Sequence, residues 1–305
     1  MSFSTSGERE PDAERVLTSE AVVSRRAFVA GGLLGGISAA GLTAAEAFSA
    51  RYRNPYRPRM EQTTFTLPHG HEALAGLRIG FISDTHVGPF IAQADIERAA
   101  NLMRSQKPDL LLLGGDYVSE STRYIPTAAA ALGSLAAEVE LGAVGVLGNH
   151  DIHVSALDVE RALAAAGITI LRNQSHKITF NGADLWIAGI DETLLGYPDV
   201  DKTFAGIPEG SARLALWHEP EFAEQAAARG AFAQLSGHTH GGQIRIPGVG
   251  PVGLPLDGKR YTIGRNIADG MQIYTSRGVG VFRPPMRFNC PPEVTIITLE
   301  PPAAD

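Results

Sequence analysis

From Leu77 onward, short apolar runs and amphipathic stretches take turns along the chain. "LRIGFIS" (77–83) reads as a buried strand ending at Asp84. "IAQADIERAANLMRSQ" (91–106) carries its apolar residues at helical spacing and stops before Lys107-Pro108. "PDLLLLGGD" predicts a second buried strand, 124–138 an alanine-rich helix, and "AVGVLGNHD" a third strand. A helix near 155–166 leads to "ITILRN" (168–173). The texture then changes. "HKITFNGADLWIAGID" (176–191) has the form of a hairpin turning on Asn181-Gly182. Further strands are expected in 212–220, 232–240, 271–277 and 293–300, and the Gly/Pro-rich stretch 241–264 reads as a long loop. Alternating strands and helices followed by richer β structure predict an α/β core with two stacked mixed sheets.

Every polar cluster able to do chemistry falls at the C-terminal end of a predicted strand. They are Asp84-Thr85-His86, Gly115-Asp116, Gly148-Asn149-His150-Asp151, His218 and Gly237-His238-Thr239-His240. Open α/β sheets bind ligands at such strand ends. Side chains at i and i+2 share a side in extended backbone, so Asp84 with His86, and His238 with His240, are expected to point into one cavity. Carboxylate, imidazole and amide oxygen without thiolate suit Mn, Fe or Zn. Two such ions about 3.5–4 Å apart clamp a phosphate and ionise a bridging water, and Asp116 is the central candidate to bridge them. Taken singly, a D-x-H triplet or a lone His218 has an ordinary explanation as chance or as a satisfied core residue. Five such clusters in order, each at a strand end, do not. His69, His71, His153 and His176 lie outside this frame and read as surface or loop residues.

With 305 residues, 44% hydrophobic and 19% charged, the chain can bury a sizeable core. Its net charge of -7 argues against general nucleic-acid binding. It leaves an anionic substrate open, because bound cations reverse the field locally. The single cysteine, Cys290, rules out an internal disulfide and a thiolate-built zinc site.

Residues 1–50 read as an address. "SRRAFVAGGLLGGISAAGLTAAEAFSA" (24–50) has paired arginines, a modest apolar run and small residues near cut sites after Ala47 or Ala50. It resembles a twin-arginine (Tat) export signal, with Ala30 in place of the usual lysine. A buried core helix is disfavoured by its glycines. An uncleaved membrane anchor stays open, since 27–45 approaches the roughly 20 residues that span a bilayer. Residues 51–65, with Arg51, Arg53, Arg57 and Arg59, read as a basic linker able to lie on anionic headgroups. The remainder, 66–305, is the expected catalytic domain.

The five clusters resemble the five blocks of the calcineurin-like metallophosphoesterases over about residues 77–300. The resemblance implies a four-layer α-β-β-α sandwich. It implies one metal held by Asp84, His86, Asp116 and His240, and a second by Asp116, Asn149, His218 and His238. His150 is then the unliganded histidine at the leaving oxygen, and Asp151 the carboxylate that orients it. A metal-bridging hydroxide would attack phosphorus in line. "GDYVSES" lacks the aspartate and arginine that protein Ser/Thr phosphatases carry after GD, which counts against that class. "GHTHGGQ", "YTSRGVG" and "CPPEVTIITL" look like the bacterial exported or membrane-associated phosphodiesterase branch, whose relatives include UDP-2,3-diacylglucosamine hydrolases. The expected substrate is a phosphodiester or pyrophosphate, with a lipid-linked one open. Arg277 is a candidate phosphate contact, and 279–288 a candidate lip for lipid or membrane. The alternatives are a UDP-2,3-diacylglucosamine pyrophosphatase of lipid A synthesis, and a silent metal- or lipid-binding protein. No ligand position is lost here, which counts against the second.

Overall fold

Two six-stranded sheets form the middle of the molecule in a computed structural model, which describes residues 49–51, 53–255 and 258–302. The first sheet is built from β1 (Arg59–Thr66), β2 (Arg78–Ile82), β3 (Leu110–Leu113), β4 (Ala143–Gly145), β5 (Ile168–Ile170) and β14 (Glu293–Glu300). Its order is β1-β14-β2-β3-β4-β5, parallel except where β14 meets β2. The second holds β6 (Gln174–Phe180), β7 (Ala183–Gly189), β8 (Ala212–Leu216), β9 (Ala233–Ser236), β12 (Gly264–Ala268) and β13 (Met271–Thr275). Its order is β12-β13-β9-β8-β7-β6, with the outer pairs antiparallel.

The period of two along each strand sorts side chains into layers. Ile79, Phe81, Leu110 and Leu112 meet Leu185, Ile187, Leu214 and Leu216 between the sheets. Ile82, Leu111 and Leu113 point the other way. They pack under α1 (Gln93–Arg104), α2 (Ile125–Ala136) and α3 (Asn149–Ala165). Ala188, Ala215 and Trp217 face outward under α4 (Val200–Ala205) and α5 (Ala223–Ala227). Both faces of each sheet are therefore covered, which is why "LLLL" is apolar without alternation. The α-β-β-α sandwich is the one expected. Gly80 lets α1 close on β2, since a Cβ there would lie 2.7 Å from Met103 Sδ.

The hairpin β6–β7 turns on Asn181 (φ 49°) and Gly182 (φ 77°), both in the left-handed region that a tight two-residue turn demands. Three boundaries need correction. The stretch 51–65 is not a linker: Asn54–Tyr56 form a 3-10 turn and β1 pairs with β14 from Arg59 onward. Its alternating pattern is weak because this edge strand buries only Phe65 fully. The third helix begins at Asn149 rather than near 155, with a break at Ser155 that hid its first turn from a periodicity reading. Within 241–264, a small hairpin joins β10 (Arg245–Ile246) to β11 (Gly250–Pro251). The expected export segment lies outside the described residues up to 48. Among the described residues, no helix is long and apolar enough to cross a membrane.

Candidate metal centre

The ligand candidates all lie within four residues of a strand's end, on the loops and first helical turns that follow strands of both sheets. The loops continue the sheet pairing for a few residues. Asp84 N donates to Gly115 O (2.9 Å) and His86 N to Asp116 O (3.0 Å), which fixes the first two clusters against each other. The backbone there is not extended. Asp84, His86, Asp116, His238 and His240 all have φ between 46° and 67°. Such left-handed positions cost non-glycine residues about 1–3 kcal/mol each and collect at functional sites. The shared direction expected from i, i+2 spacing in extended backbone therefore has another cause here. Turned backbone, not pleat, aims them.

Asp84 is fully buried; its Oδ2 accepts from Ser83 Oγ at 2.6 Å and its Oδ1 from His238 N at 2.9 Å. His240 Nε2 stands 3.4 Å from Asp84 Oδ1 and 2.9 Å from His86 Nε2. Asp116 Oδ2 lies 3.4 Å from His86 Nε2 and 3.3 Å from His218 Nε2, while its Oδ1 accepts from His150 N at 2.8 Å. On the far side, His238 Nδ1 meets Asn149 Oδ1 at 3.1 Å. The seven expected ligands are thus brought together, with Asp116 between the two groups. The spacer threonines turn away to backbone carbonyls, Thr85 to Tyr117 O and Thr239 to Thr262 O.

The donor set fits divalent metal ions. Ligand atoms of Asp84, His86 and His240, and of Asp84, Asp116 and His218, lie within 4.8 Å of one another. His218 Nδ1 donates to Gly114 O at 2.7 Å, which fixes the ring and turns Nε2 toward the centre. Burial opposes its charged form, but Asp116 and Asp84 outweigh it and raise the imidazole well above its ordinary range, so a metal taken up at Nε2 would displace a proton. That Nε2 is buried without a hydrogen-bond partner among the described residues. Burial holds His86 neutral down to about 3, against the pull of Asp116. Burial, His86 and Arg287 keep His240 well below the usual imidazole range. Asp116 is ionised: burial opposes this, but His218 and His86 outweigh it and hold the carboxyl well below its ordinary value. Neutral imidazoles and a carboxylate are the forms that ligate.

Two assigned roles change. Asp151 does not touch the His150 imidazole. Its buried carboxylate accepts from Tyr117 N (2.8 Å), Gly148 N (3.0 Å) and Val118 N (3.2 Å), and caps α3. Burial and the charge of Asp116 push it up to about 8. The side chains around the His150 ring are instead aromatic, His86 at 4.8 Å and Phe282 at 4.6 Å between ring centroids. Arg277, the candidate phosphate contact, has carboxylate partners within the protein. It is ion-paired with Glu61 of β1 and Glu293 of β14, with only 14% of its side chain exposed.

Several neighbours escaped the sequence. Ser119 Oγ sits 2.7 Å from His86 Nδ1. Arg287 is fully buried and donates to the carbonyls of Arg277, Gly278, Gly280 and Cys290. Its charge lies 3.4 Å from His240 Nδ1. Glu219 adjoins His218 and His238, and burial together with Glu192 pushes its carboxyl up. Phe282 and Arg287 fall within the stretch read as a lip, but composition alone did not separate the ring at the mouth from the buried guanidinium.

A two-sheet sandwich with a buried carboxylate–imidazole cluster at its strand ends is the architecture of a metal-dependent hydrolase. Residues 77–242 match the calcineurin-like phosphoesterase family model, and the chain belongs to that family. It is similar to an uncharacterized metallophosphoesterase, YkuE, of Bacillus subtilis, at 32% identity over 91% of this chain and 98% of that one. It is also similar to the phosphodiesterase YaeI of Escherichia coli, at 36% identity over 74% of this chain and 83% of that one. A third relative, an uncharacterized metallophosphoesterase of Aquifex aeolicus, is 31% identical over 80% of this chain and 93% of its own length. The protein is a metallophosphoesterase, a hydrolase of phosphoric esters.

Proposed function

We propose that the protein is a dinuclear metal-dependent phosphodiesterase that works outside the cytoplasm or at the membrane. The observation that carries the dinuclear part is Asp116, whose one oxygen stands between His86 and His218 at 3.4 and 3.3 Å. Asp84, His86 and His240 would complete one site; Asn149, His218 and His238 the other. When bound, the ions supply Lewis-acid charge to the phosphoryl oxygens and lower the pKa of water.

The chain's own residues do the rest. His150 reaches the mouth with its imidazole held by ring contacts and no hydrogen bond among the described residues. Its nitrogens are available to donate a proton to the departing oxygen. Its N–H to Asp116 ties it in register with the bridging carboxylate. The relative named a phosphodiesterase supports a diester substrate. The arginine pair at 25–26 and the apolar run after it support export by the Tat translocase.

Full-length protein loaded with Mn should bind two ions per chain and hydrolyse bis(p-nitrophenyl) phosphate. His150→Ala should keep both ions and lose about 100-fold or more in turnover. Full rate in that variant would remove His150 from the chemistry, and one ion per chain would remove the bridge.

A further inference from the structure

We propose that Phe282 is a specificity-determining residue: the exposed part of its ring receives the planar, apolar part of the ester group that lies beside His150. The proposal rests on the phosphoesterase reading above and adds the class of group it prefers. Phe282 belongs to none of the three apolar clusters of the fold. Its ring instead stands 4.6 Å from the His150 ring at 61° and 6.1 Å from that of His86, with 38% of the residue exposed. The exposed part of this ring thus adjoins the histidines of the centre rather than the apolar core, within reach of an ester group beside His150.

The backbone beneath it is fixed. Phe282 N donates to Gln243 Oε1 at 2.8 Å, and Gln243 Nε2 donates back to Phe282 O at 3.1 Å. Phe288 N donates to Gln243 O (2.9 Å), and Arg51 Nη1 to Pro285 O (3.2 Å). Arg283 pairs with Glu120 and lies over the Phe90 ring. Gln243 is three residues past His240, so one segment places both a ligand and the ring. A backbone already fixed leaves only the ring's own torsions to settle when a substrate arrives. Aromatic rings attract one another at centroid distances of about 4.5–7 Å, a gain unavailable to a methyl ester or to free phosphate. An aryl or similarly flat apolar ester group is therefore favoured over a small alkyl one.

The test uses Mn-loaded full-length protein, with inorganic phosphate, methylphosphonate and phenylphosphonate as ligands. Their affinities are read by calorimetry and by inhibition of bis(p-nitrophenyl) phosphate hydrolysis. Wild type should prefer phenyl- to methylphosphonate by about tenfold. Phe282→Ala should erase that ratio while metal content and phosphate affinity stay within about twofold, and Phe282→Leu should fall between. Absence of the preference in wild type, or its survival in Phe282→Ala, overturns the proposal without touching the metal centre. Failure of phosphate itself to bind would bring down the phosphoesterase reading, and this proposal with it.

Discussion

Asp151 separates two jobs open to a carboxylate next to a working histidine. An orienting carboxylate bonds the imidazole and shifts its proton affinity. Asp151 instead gathers three backbone N–H groups from two loops, those that carry Asp116 and His150. Buried N–H groups stripped of their acceptor cost about 1–3 kcal/mol each. Asp151→Ala should therefore lower the midpoint of thermal unfolding and weaken metal retention together, because the same loops hold the ligands. Asp151→Asn, which keeps an acceptor for Tyr117 N and Val118 N but turns an NH2 toward Gly148 N, should recover only part of both. The pH–rate profile of Asp151→Asn should match wild type, since no imidazole loses a partner. A profile displaced by a full unit would restore Asp151 to the proton path.

Close approach of loops is enforced by glycines at the turns between strand and ligand. A Cβ on Gly237 would lie 1.9 Å from Ser83 Oγ and 2.2 Å from Asp84 Oδ2; one on Gly148 would lie 2.2 Å from Asp116 Oδ1. Neither neighbour can move without losing its partners. Gly237→Ala should fold, because β9 ends before it, yet bind metal at the Asp84 site at least about tenfold more weakly. Metal titration followed by circular dichroism checks this; normal affinity would mean that the loop relaxes freely. The same loops show what the sequence could reveal. The strand cores were legible because apolar runs bounded by Gly and Pro leave little choice of element, and the ligand types because Asp, Asn and His recur at the run ends. What stayed hidden depends on tertiary closeness. Nothing around Ser119 or Gly114 in the chain states that they meet His86 and His218. Arg277 looked like an anion contact until Glu61, over two hundred residues away, proved to face it. The first turn of α3 was masked because its residues were chosen for ligation rather than for helical periodicity.

The centre draws Asp84, His86, Asp116 and Asn149 from one sheet and His218, His238 and His240 from the other. Bound ions would thus join the two halves of the sandwich at one edge, where the apolar middle layer gives way to buried charge. Burial and the nearby charge of Asp116 both raise Asp84 in the protein alone. Two carboxylates so placed repel, and a cation between them offsets that cost. Any ligand that binds only the folded state adds RT ln(1 + [L]/Kd), about 2.7 kcal/mol when free metal is 100 times its Kd. For a domain of this size that is an unfolding midpoint higher by roughly 5–10 °C per site. Chelation should remove the increment and added Mn should return it, with Asp116→Asn losing more of it than His150→Ala. The comparison isolates the bridge, since the two residues are bonded neighbours, His150 N to Asp116 Oδ1, but only Asp116 meets histidines of both sheets. An Asp116→Asn midpoint as responsive to chelator and Mn as that of His150→Ala would undo Asp116 as the shared ligand of the two ions.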